Sequence, residues 1–438
     1  MITDDNKKLA QWAMEYALKN GCQAAKLVLY TNSNSSFELR DGKMDRLQQS
    51  TENGLGLNLY VDGRFGSFST NRLDKKELET LITNGIESTR YLAVDESRMA
   101  DPARYYKGGK PDLQLFDKKL YEVNPDDKVA IARAAAEEVL GKDERIISVD
   151  SSYSDGEGSS YRLISNGFEG ESKSTWFSVS ASVSIKGEGE ARPQDYWYDS
   201  ALFYDKLTKT GIGAKALERV LRKLGQKKAK SGKYTMVVDP MNVGNLLSPM
   251  LSALYGSALQ QKNSFLMDKL DTKVASDLFT LRDEPHAIGA NGSRYFDNEG
   301  VATEPRTVFD KGVLKTYFID TYNGKKMDIA PTISAPSRLI LTPGDKDLNG
   351  LVADIKQGIL VTGFNGGNSN SSTGDFSYGI EGFLIEDGKL TQPVNEMNVT
   401  GNMVTLWNSL VAVGNDPQPN RSWQIPSLVF EGVDFSGL

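Results

Sequence analysis

The chain carries one histidine, His286, and one cysteine, Cys22, so the side chains that most often hold zinc or drive nucleophilic catalysis are almost missing. Zinc hydrolases draw two or three imidazole or thiolate ligands, because those donors match a borderline-soft cation. A Ser-His-Asp or Cys-His arrangement needs an imidazole to take the proton, and only His286 offers one. His286 follows Arg282-Asp283-Glu284-Pro285, where it reads as a surface or capping residue, or else as a base or one ligand among carboxylates. Asp297 and Glu299 stand two positions apart in Asp297-Asn298-Glu299-Gly300. On a strand they would share a face fit for a hard cation; in a turn they would serve backbone donors, and the turn is preferred. Cys22 follows a helix-stopping glycine and reads as a small buried hydrophobe. The inventory leaves carboxylate-only metal chemistry, catalysis by carboxylates or hydroxyls, or a chain that catalyses nothing alone.

Two glycine-rich stretches invite a phosphate reading and do not sustain it. Gly211-Ile212-Gly213 precedes a helix but lacks a third glycine and a preceding strand. The run from Gly363 to Asp375 holds Gly366, Gly367 and Gly374 but no lysine, and opens no helix, so a flexible loop between strands is expected.

The elements that must position these groups are legible from periodicity. Leu9, Trp12, Ala13, Tyr16 and Ala17 make one apolar stripe of a helix that Gly21 stops. Strands are expected over residues 25–30, 36–40, 56–61 and 64–69, with tight turns at Asp41-Gly42 and Asp62-Gly63. A helix follows over 74–91, then a polar stretch at 101–117 that reads as a linker. Next come a helix at 126–140, strands at 146–153, 159–164 and 174–186, and a helix at 209–224. The aromatic group Tyr196-Trp197-Tyr198 and Phe203-Tyr204 could line a peptide groove, although core packing accounts for it better. Beyond residue 233 a strand at 234–239 leads into a helix at 243–261, then mostly strands, a helix at 348–358, and hairpins at Lys311-Gly312 and Asp387-Gly388. Helices and strands are grouped rather than alternating, which favours an α+β fold. The expected segments are 1–115, a helix, hairpins and helix; 116–228, a central α+β segment; and 229–438, a strand-rich C-terminal domain.

A chain of 438 residues exceeds one ordinary core. No apolar run is long enough to span a membrane, and a single cysteine fits a reducing cytoplasm. Net charge is -7, against what duplex nucleic acid favours, so neither membrane nor nucleic acid is expected as a partner. The basic run from Arg219 to Lys233 reads as a solvated helix end.

The C-terminal segments carry a resemblance. Asp297-Asn-Glu-Gly-Val-Ala-Thr303, Phe309-Asp-Lys-Gly-Val-Leu-Lys-Thr-Tyr-Phe-Ile-Asp-Thr-Tyr322, Leu339-Ile-Leu-Thr-Pro-Gly-Asp345 and Thr373-Gly-Asp-Phe-Ser-Tyr-Gly-Ile-Glu-Gly, continuing to Gly388, resemble, in that order, the TldD/PmbA (TldE) family. The resemblance extends upstream through Ser264-Phe-Leu266 and covers nearly the whole chain. It implies a cytoplasmic metalloprotease of two related subunits, with zinc held in the TldD type by His-Glu-x-x-x-His on the first helix of the C-terminal domain and by a later cysteine. Here Ser248 and Ala253 stand at the two histidine positions, Pro249 replaces the glutamate, and no cysteine lies beyond Cys22. The resemblance therefore implies a PmbA/TldE-type subunit that binds no metal itself and pairs with a zinc-bearing TldD-like subunit, or with itself. Such a chain would help to admit an extended peptide, with His286, Asp297, Glu299 and Asp375 as candidates to line the cleft. Two other readings stand beside it: a non-proteolytic regulatory protein, since related proteins are described as modulators of DNA gyrase, and a divergent hydrolase using His286 with Asp297 or Glu299.

Overall fold

A computed structural model describes residues 2–95 and 98–438. They form two compact units. The first comprises Met1–Ile185, Gln194–Glu218 and Ala287–Thr303; the second comprises Lys186–Pro193, Arg219–His286 and Glu304–Leu438.

The first unit is a mixed layer of helices on one antiparallel sheet. Its elements are α1 (Asp4–Lys19), β1 (Ala24–Arg40), β2 (Lys43–Val61), β3 (Arg64–Thr70), α2 (Lys75–Thr89), α3 (Pro125–Glu137), β4 (Ile146–Ile164), β5 (Phe168–Ile185) and β6 (Gln194–Ala201). Strand order is β3-β2-β1-β4-β5-β6, so residues of both the first and the central expected segments share one sheet. Thr3 and Asn6 close a reciprocal capping box on α1, and Asp74 caps α2 through the Glu77 amide. The buried stripe of α1 is Ala10, Ala13, Met14 and Ala17, with Leu9, Trp12 and Tyr16 at its rim. That stripe and Leu78, Ile82 and Ile86 of α2 cover Leu27, Leu29, Leu55, Leu57 and Leu59 of the sheet.

Three sequence expectations need correction here. The polar stretches 31–35 and 154–158 are not gaps between strands but the middles of β1 and β4, paired to each other from Asn32↔Gly158 to Ser36↔Ser154. Residues 101–117 are not an exposed linker, because Tyr105 and Leu113 are buried and Tyr105 bridges to Val301. The aromatic group does not pack as one cluster. Tyr196 and Tyr198 stack on one face of β6, with Tyr196 exposed, whereas Tyr204 packs edge-on against buried Phe177.

The helix α4 (Ile212–Leu221) contains the division between the units, at Glu218 and Arg219. The second unit holds β7 (Gly232–Val238), α5 (Gly244–Ser252), α6 (Gly256–Gln260), β8 (Leu281–Asp283), β9 (Arg306–Asp310), β10 (Val313–Leu314), α7 (Thr321–Met327), β11 (Leu339–Leu341) and α8 (Leu348–Ala353). It continues with β12 (Gln357–Ser369), β13 (Asp375–Glu386), β14 (Lys389–Asn402), α9 (Met403–Asn408), β15 (Leu410–Val413), β16 (Trp423–Gln424) and β17 (Leu428–Ser436). One sheet runs β14-β13-β12-β7-β17-β15, and β14 also pairs with β17 through Asn398↔Ser436, Val399↔Phe435 and Thr400↔Asp434. These pairings close five strands into a ring. A smaller sheet runs β10-β9-β8-β11-β16. Trp407 is fully buried, 4.4 Å from Phe279 and 5.5 Å from Phe430 between ring centres. The run expected as a flexible loop from Gly363 is strand as far as Ser369, with bulges that absorb its glycines. Gly367 takes φ +98°, and a Cβ there would lie 2.1 Å from the Ser377 carbonyl oxygen, so only glycine fits.

Candidate functional site

The helix that leads through Ser248 and Pro249 to Ala253 is set by the end of β7. Asp239 ends that strand almost fully buried, and its Oδ1 accepts from the Asn242 amide at 3.0 Å and from Asn242 Nδ2 at 2.7 Å. Burial raises the Asp239 pKa, while the Asn242 hydrogen bonds and the Arg219 charge pull it back. The turn that Asp239 anchors launches α5, whose Leu246, Leu247, Met250 and Leu251 are buried. The expected single helix over 243–261 is in fact two. It breaks after Ala253, where Tyr255 bridges to Phe318 and the Gly256 amide donates to the Phe318 carbonyl. Gly256 approaches Asn323 so closely that a Cβ would stand 2.9 Å from the Asn323 Cβ.

Within α5 the three motif positions present nothing that suits zinc. Ser248 is exposed and offers a hydroxyl, Pro249 sits inside the helix and offers no donor, and Ala253 is a buried methyl at the C-cap. Because one outer position faces solvent and the other faces the core, they do not form a common surface. Among the described residues no three His, Cys, Asp or Glu side chains are grouped so as to hold a metal ion. The donor set does not fit the zinc that the family implies.

Around the C-terminal end of α5 the chain builds a polar turn instead. Ser264 Oγ donates to the Ala253 carbonyl at 2.6 Å, and Ser372 Oγ donates to Asn263 Oδ1 at 2.6 Å. Asp375 begins β13, where Asn402 Nδ2 donates to its Oδ1 at 2.9 Å and Thr373 Oγ1 to its Oδ2 at 2.8 Å. These two bonds depress its pKa. Asp375 is therefore linked to the end of α5 by a short series of hydroxyl and amide contacts.

The other sequence candidates lie elsewhere. His286 occupies a half-buried turn just after β8, in the second unit. Asp297 and Glu299 belong to the first unit, in the excursion Ala287–Thr303. Asp297 is buried in a turn, its Oδ1 accepting from the Glu299 amide at 2.8 Å and the Val301 amide at 3.0 Å. That oxygen serves backbone donors within the turn. Asp297 also borders a cavity of about 560 Å³ with Tyr106, Leu113, Arg162 and Tyr295. Burial lowers the pKa of Arg162, with Asp297 opposing and Arg294 reinforcing the shift. Cys22 is buried, and burial pushes its thiol up to about 11.

Sequence reading missed a buried ionic network in the first unit. Lys128 Nζ lies 2.6 Å from Asp155 Oδ2 and 3.3 Å from Ser35 Oγ, Tyr153 Oη donates to Asp155 Oδ2 at 3.1 Å, and Ser35 Oγ also donates to Asp155. Lys128, Asp155 and Glu157 border a shallow hollow of about 340 Å³ with Gln49 and Tyr121. The signal was present: Lys128 sits four, seven and eight residues before Ala132, Ala135 and Ala136, on the buried stripe of α3. The second unit has a counterpart in Lys223 and Glu381, 2.7 Å apart and mostly buried.

With the two-unit α+β fold in view, the class is that of a metallopeptidase-like protein. The chain belongs to the PmbA/TldD family. Residues 25–89 match the PmbA/TldA metallopeptidase domain 1, 118–224 the central domain and 231–437 the C-terminal domain. Among named relatives, the metalloprotease PmbA homologue of Haemophilus influenzae is 27% identical over 98% of this chain and 96% of its own length. Metalloprotease PmbA of Escherichia coli O157:H7 is 25% identical over 98% and 97%. Among solved structures, a Bacteroides thetaiotaomicron protein to which a role as modulator of DNA gyrase has been ascribed superposes with TM-score 0.98, at 74% identity over all of both chains. TldE of Thermococcus kodakarensis shares the fold at TM-score 0.84 and 19% identity, covering 98% of this chain and 100% of its own. No helix among the described residues is long and apolar enough to cross a membrane.

Proposed function

We propose that this chain is a non-catalytic subunit of a TldD/TldE-type metalloprotease assembly, in which a TldD-like partner supplies the zinc and the two admit unfolded or extended peptides. The observation that carries the reading is α5, whose Ser248, Pro249 and Ala253 offer a hydroxyl, a ring and a buried methyl where the family's catalytic type has two imidazoles and a carboxylate. Metal-assisted peptide hydrolysis needs a cation to polarise the carbonyl and activate water. The two soft donors left in the chain, Cys22 and His286, lie in different units. The reading includes a cytoplasmic location, in keeping with the lone buried cysteine.

The test is purification of the chain alone and with a TldD-like protein recovered from native lysate. Alone it is expected to bind far less than one zinc per chain and to leave an unfolded peptide intact. The recovered complex is expected to hold zinc through the partner's His-Glu-x-x-x-His helix and to cleave. Replacing Ser248, Pro249 and Ala253 together by His, Glu and His is expected to leave zinc substoichiometric, since a further ligand is still lacking. Robust cleavage by the homogeneous chain would remove the proposal.

The role ascribed to the Bacteroides thetaiotaomicron relative supports a second reading, a regulatory protein without proteolysis. The charge of -7 disfavours direct contact with duplex DNA, so that reading works through a protein partner. Strong, salt-sensitive duplex binding would revive the DNA-contacting version.

A further inference from the structure

Tyr161 and Leu163 of β4 face α1 and α2, so Ser160 and Arg162 face the other side of the first sheet. On that side the segment around Tyr106 to Leu115 and the excursion around Ser293 to Asn298 enclose the cavity of about 560 Å³. β6 pairs with β5 only from Phe177 onward, so Ser172 and Lys173 close the cavity from an uncovered edge. The Thr175 amide donates to the Leu115 carbonyl at 3.1 Å, which ties the segment to that edge. Part of the wall is aromatic. Tyr106 stacks on Tyr295 at 5.2 Å and lies 6.0 Å from Phe296, and Tyr295 Oη donates to the Pro111 carbonyl at 2.7 Å.

The rest of the lining is charged, and Lys110, Arg162, Lys173 and Arg294 outnumber three carboxylates. Each carboxylate is already engaged. Asp112 Oδ1 accepts from the Gln114 amide at 2.9 Å, Glu171 holds Lys7 at 2.5 Å, and Asp297 Oδ1 serves the two amides of its turn. Arg162 is half-buried and less well satisfied. Its Nη1 donates to the Asn298 carbonyl and its Nη2 lies 3.5 Å from Asn298 Oδ1, but its Nε, shut off from solvent, meets no acceptor. Arg294 adds a like charge nearby. A guanidinium so placed ordinarily holds a planar oxyanion, and a role confined to pinning Asn298 leaves Nε unexplained.

We infer that this cavity binds a small carboxylic acid with an aromatic body, its carboxylate taken by the Arg162 guanidinium beside Arg294. An anion there completes the buried Nε and relieves the repulsion between the two arginines. The lining carries one positive charge in excess, which suits a monoanion better than a phosphate carrying about two negative charges. Leu113, Leu115, Tyr106 and Phe296 offer apolar surface to a flat ring. The volume falls within the about 300–1,000 Å³ usual for small-molecule sites. Lys110 is exposed, its Nζ 5.3 Å from the Tyr295 ring centre, and brings a further cation to the rim. The inference concerns the first unit and does not rest on the metal argument made for α5.

Isothermal titration calorimetry of the full chain with N-acetyl-phenylalanine, its amide and phenyl phosphate tests it. The acid is expected to bind saturably at one site per chain and to raise the thermal midpoint. The amide is expected to bind about tenfold more weakly or worse, the size of one lost charged hydrogen bond, and phenyl phosphate to bind no better than the acid. Arg162→Met is expected to weaken the acid about tenfold or more and to abolish the rise in midpoint. Lys110→Met, at an exposed position outside the core, is expected to weaken it about threefold, and it carries the comparison if the Arg162 variant does not fold. Equal affinity for acid and amide overturns the inference, as does an acid that neither binds nor shifts the midpoint. Tighter binding of phenyl phosphate overturns the carboxylate assignment, and unchanged affinity in a folded Arg162→Met or in Lys110→Met removes the site from this cavity.

Discussion

In the second unit β14 reaches back to β17 and the main sheet closes on itself, whereas in the first unit β2 runs on past β3 and the sheet simply ends. Closure satisfies backbone groups internally and removes the edge as a site of recruitment. The open sheet satisfies its interior in another way. Where β1 and β4 turn polar, α3 lowers Lys128 onto Asp155 and Ser35 beside its buried alanines, and Tyr153 donates to the same Asp155. The closed unit has instead an aromatic centre around Trp407, Phe279 and Phe430, and α5 packs four apolar side chains. One sheet thus ends in an exposed strand, and the other closes around an apolar centre.

The largest effect expected from breaking this contrast is in the ionic network. Asp155→Ala leaves the Lys128 ammonium buried without its carboxylate, which costs about 3–5 kcal/mol. Urea unfolding is expected to show the loss, and hydrogen exchange to place it in β1 and β4 rather than in β12 and β13. The double replacement Lys128→Met with Asp155→Leu removes both charges and is expected to recover most of it. If the single and double variants lose equal stability, the network is not what holds the polar middle of the open sheet.

A smaller effect, about 1–3 kcal/mol, is expected in the closed sheet from Gly367→Ala, because the left-handed backbone and the Ser377 carbonyl both oppose a methyl there. Gly366→Ala, also at positive φ but with open space around it, is the matched control that isolates the clash. Equal losses would mean that backbone conformation alone, and not close approach of β13, fixes the bulge.

How much of this was legible follows from what each residue must satisfy. The hairpins at Asp41-Gly42, Asp62-Gly63 and Asp387-Gly388 were readable because both turn residues take positive φ, which few residue types tolerate. The alternation of Phe177, Val179, Ala181 and Val183 was readable because one face of β5 is buried. Thr31–Ser35 and Ser154–Gly158 were misread as breaks although they pair with each other, because Ser35 and Asp155 within them answer to a lysine on a distant helix, and no local pattern reports that pairing. The Gly363–Ser369 strand was misread because its glycines serve bulges rather than a loop. At the candidate site the identities at 248, 249 and 253 were visible from the family's pattern. That Ala253 is the helix C-cap and faces the core was not, since the break that puts it there depends on Phe318 and Asn323.

The smallest effect sharpens the comparison by reporting on the open unit alone. Cys22 is the chain's single thiol and lies in the core under α1 and α2. Burial holds its pKa at about 11, against an ordinary value of 9.0, with Arg90 pulling slightly the other way. A folded pKa above the unfolded one means that the unfolded chain releases its proton first. The stability this thiol contributes is therefore intact below pH 9 and is lost as pH rises through 11. At pH 10 the loss amounts to about 1 kcal/mol relative to a Cys22→Ala control measured at the same pH. Labelling by a thiol reagent at pH 8 is expected to be slow in native protein and to accelerate with urea in step with the exchange of β1 and β2, ahead of or behind the closed sheet but not tied to it. Rapid labelling of the native chain, or a labelling rate that follows β12 and β13 instead, would mean that the two units do not open separately and that the contrast between open and closed sheets has no energetic counterpart.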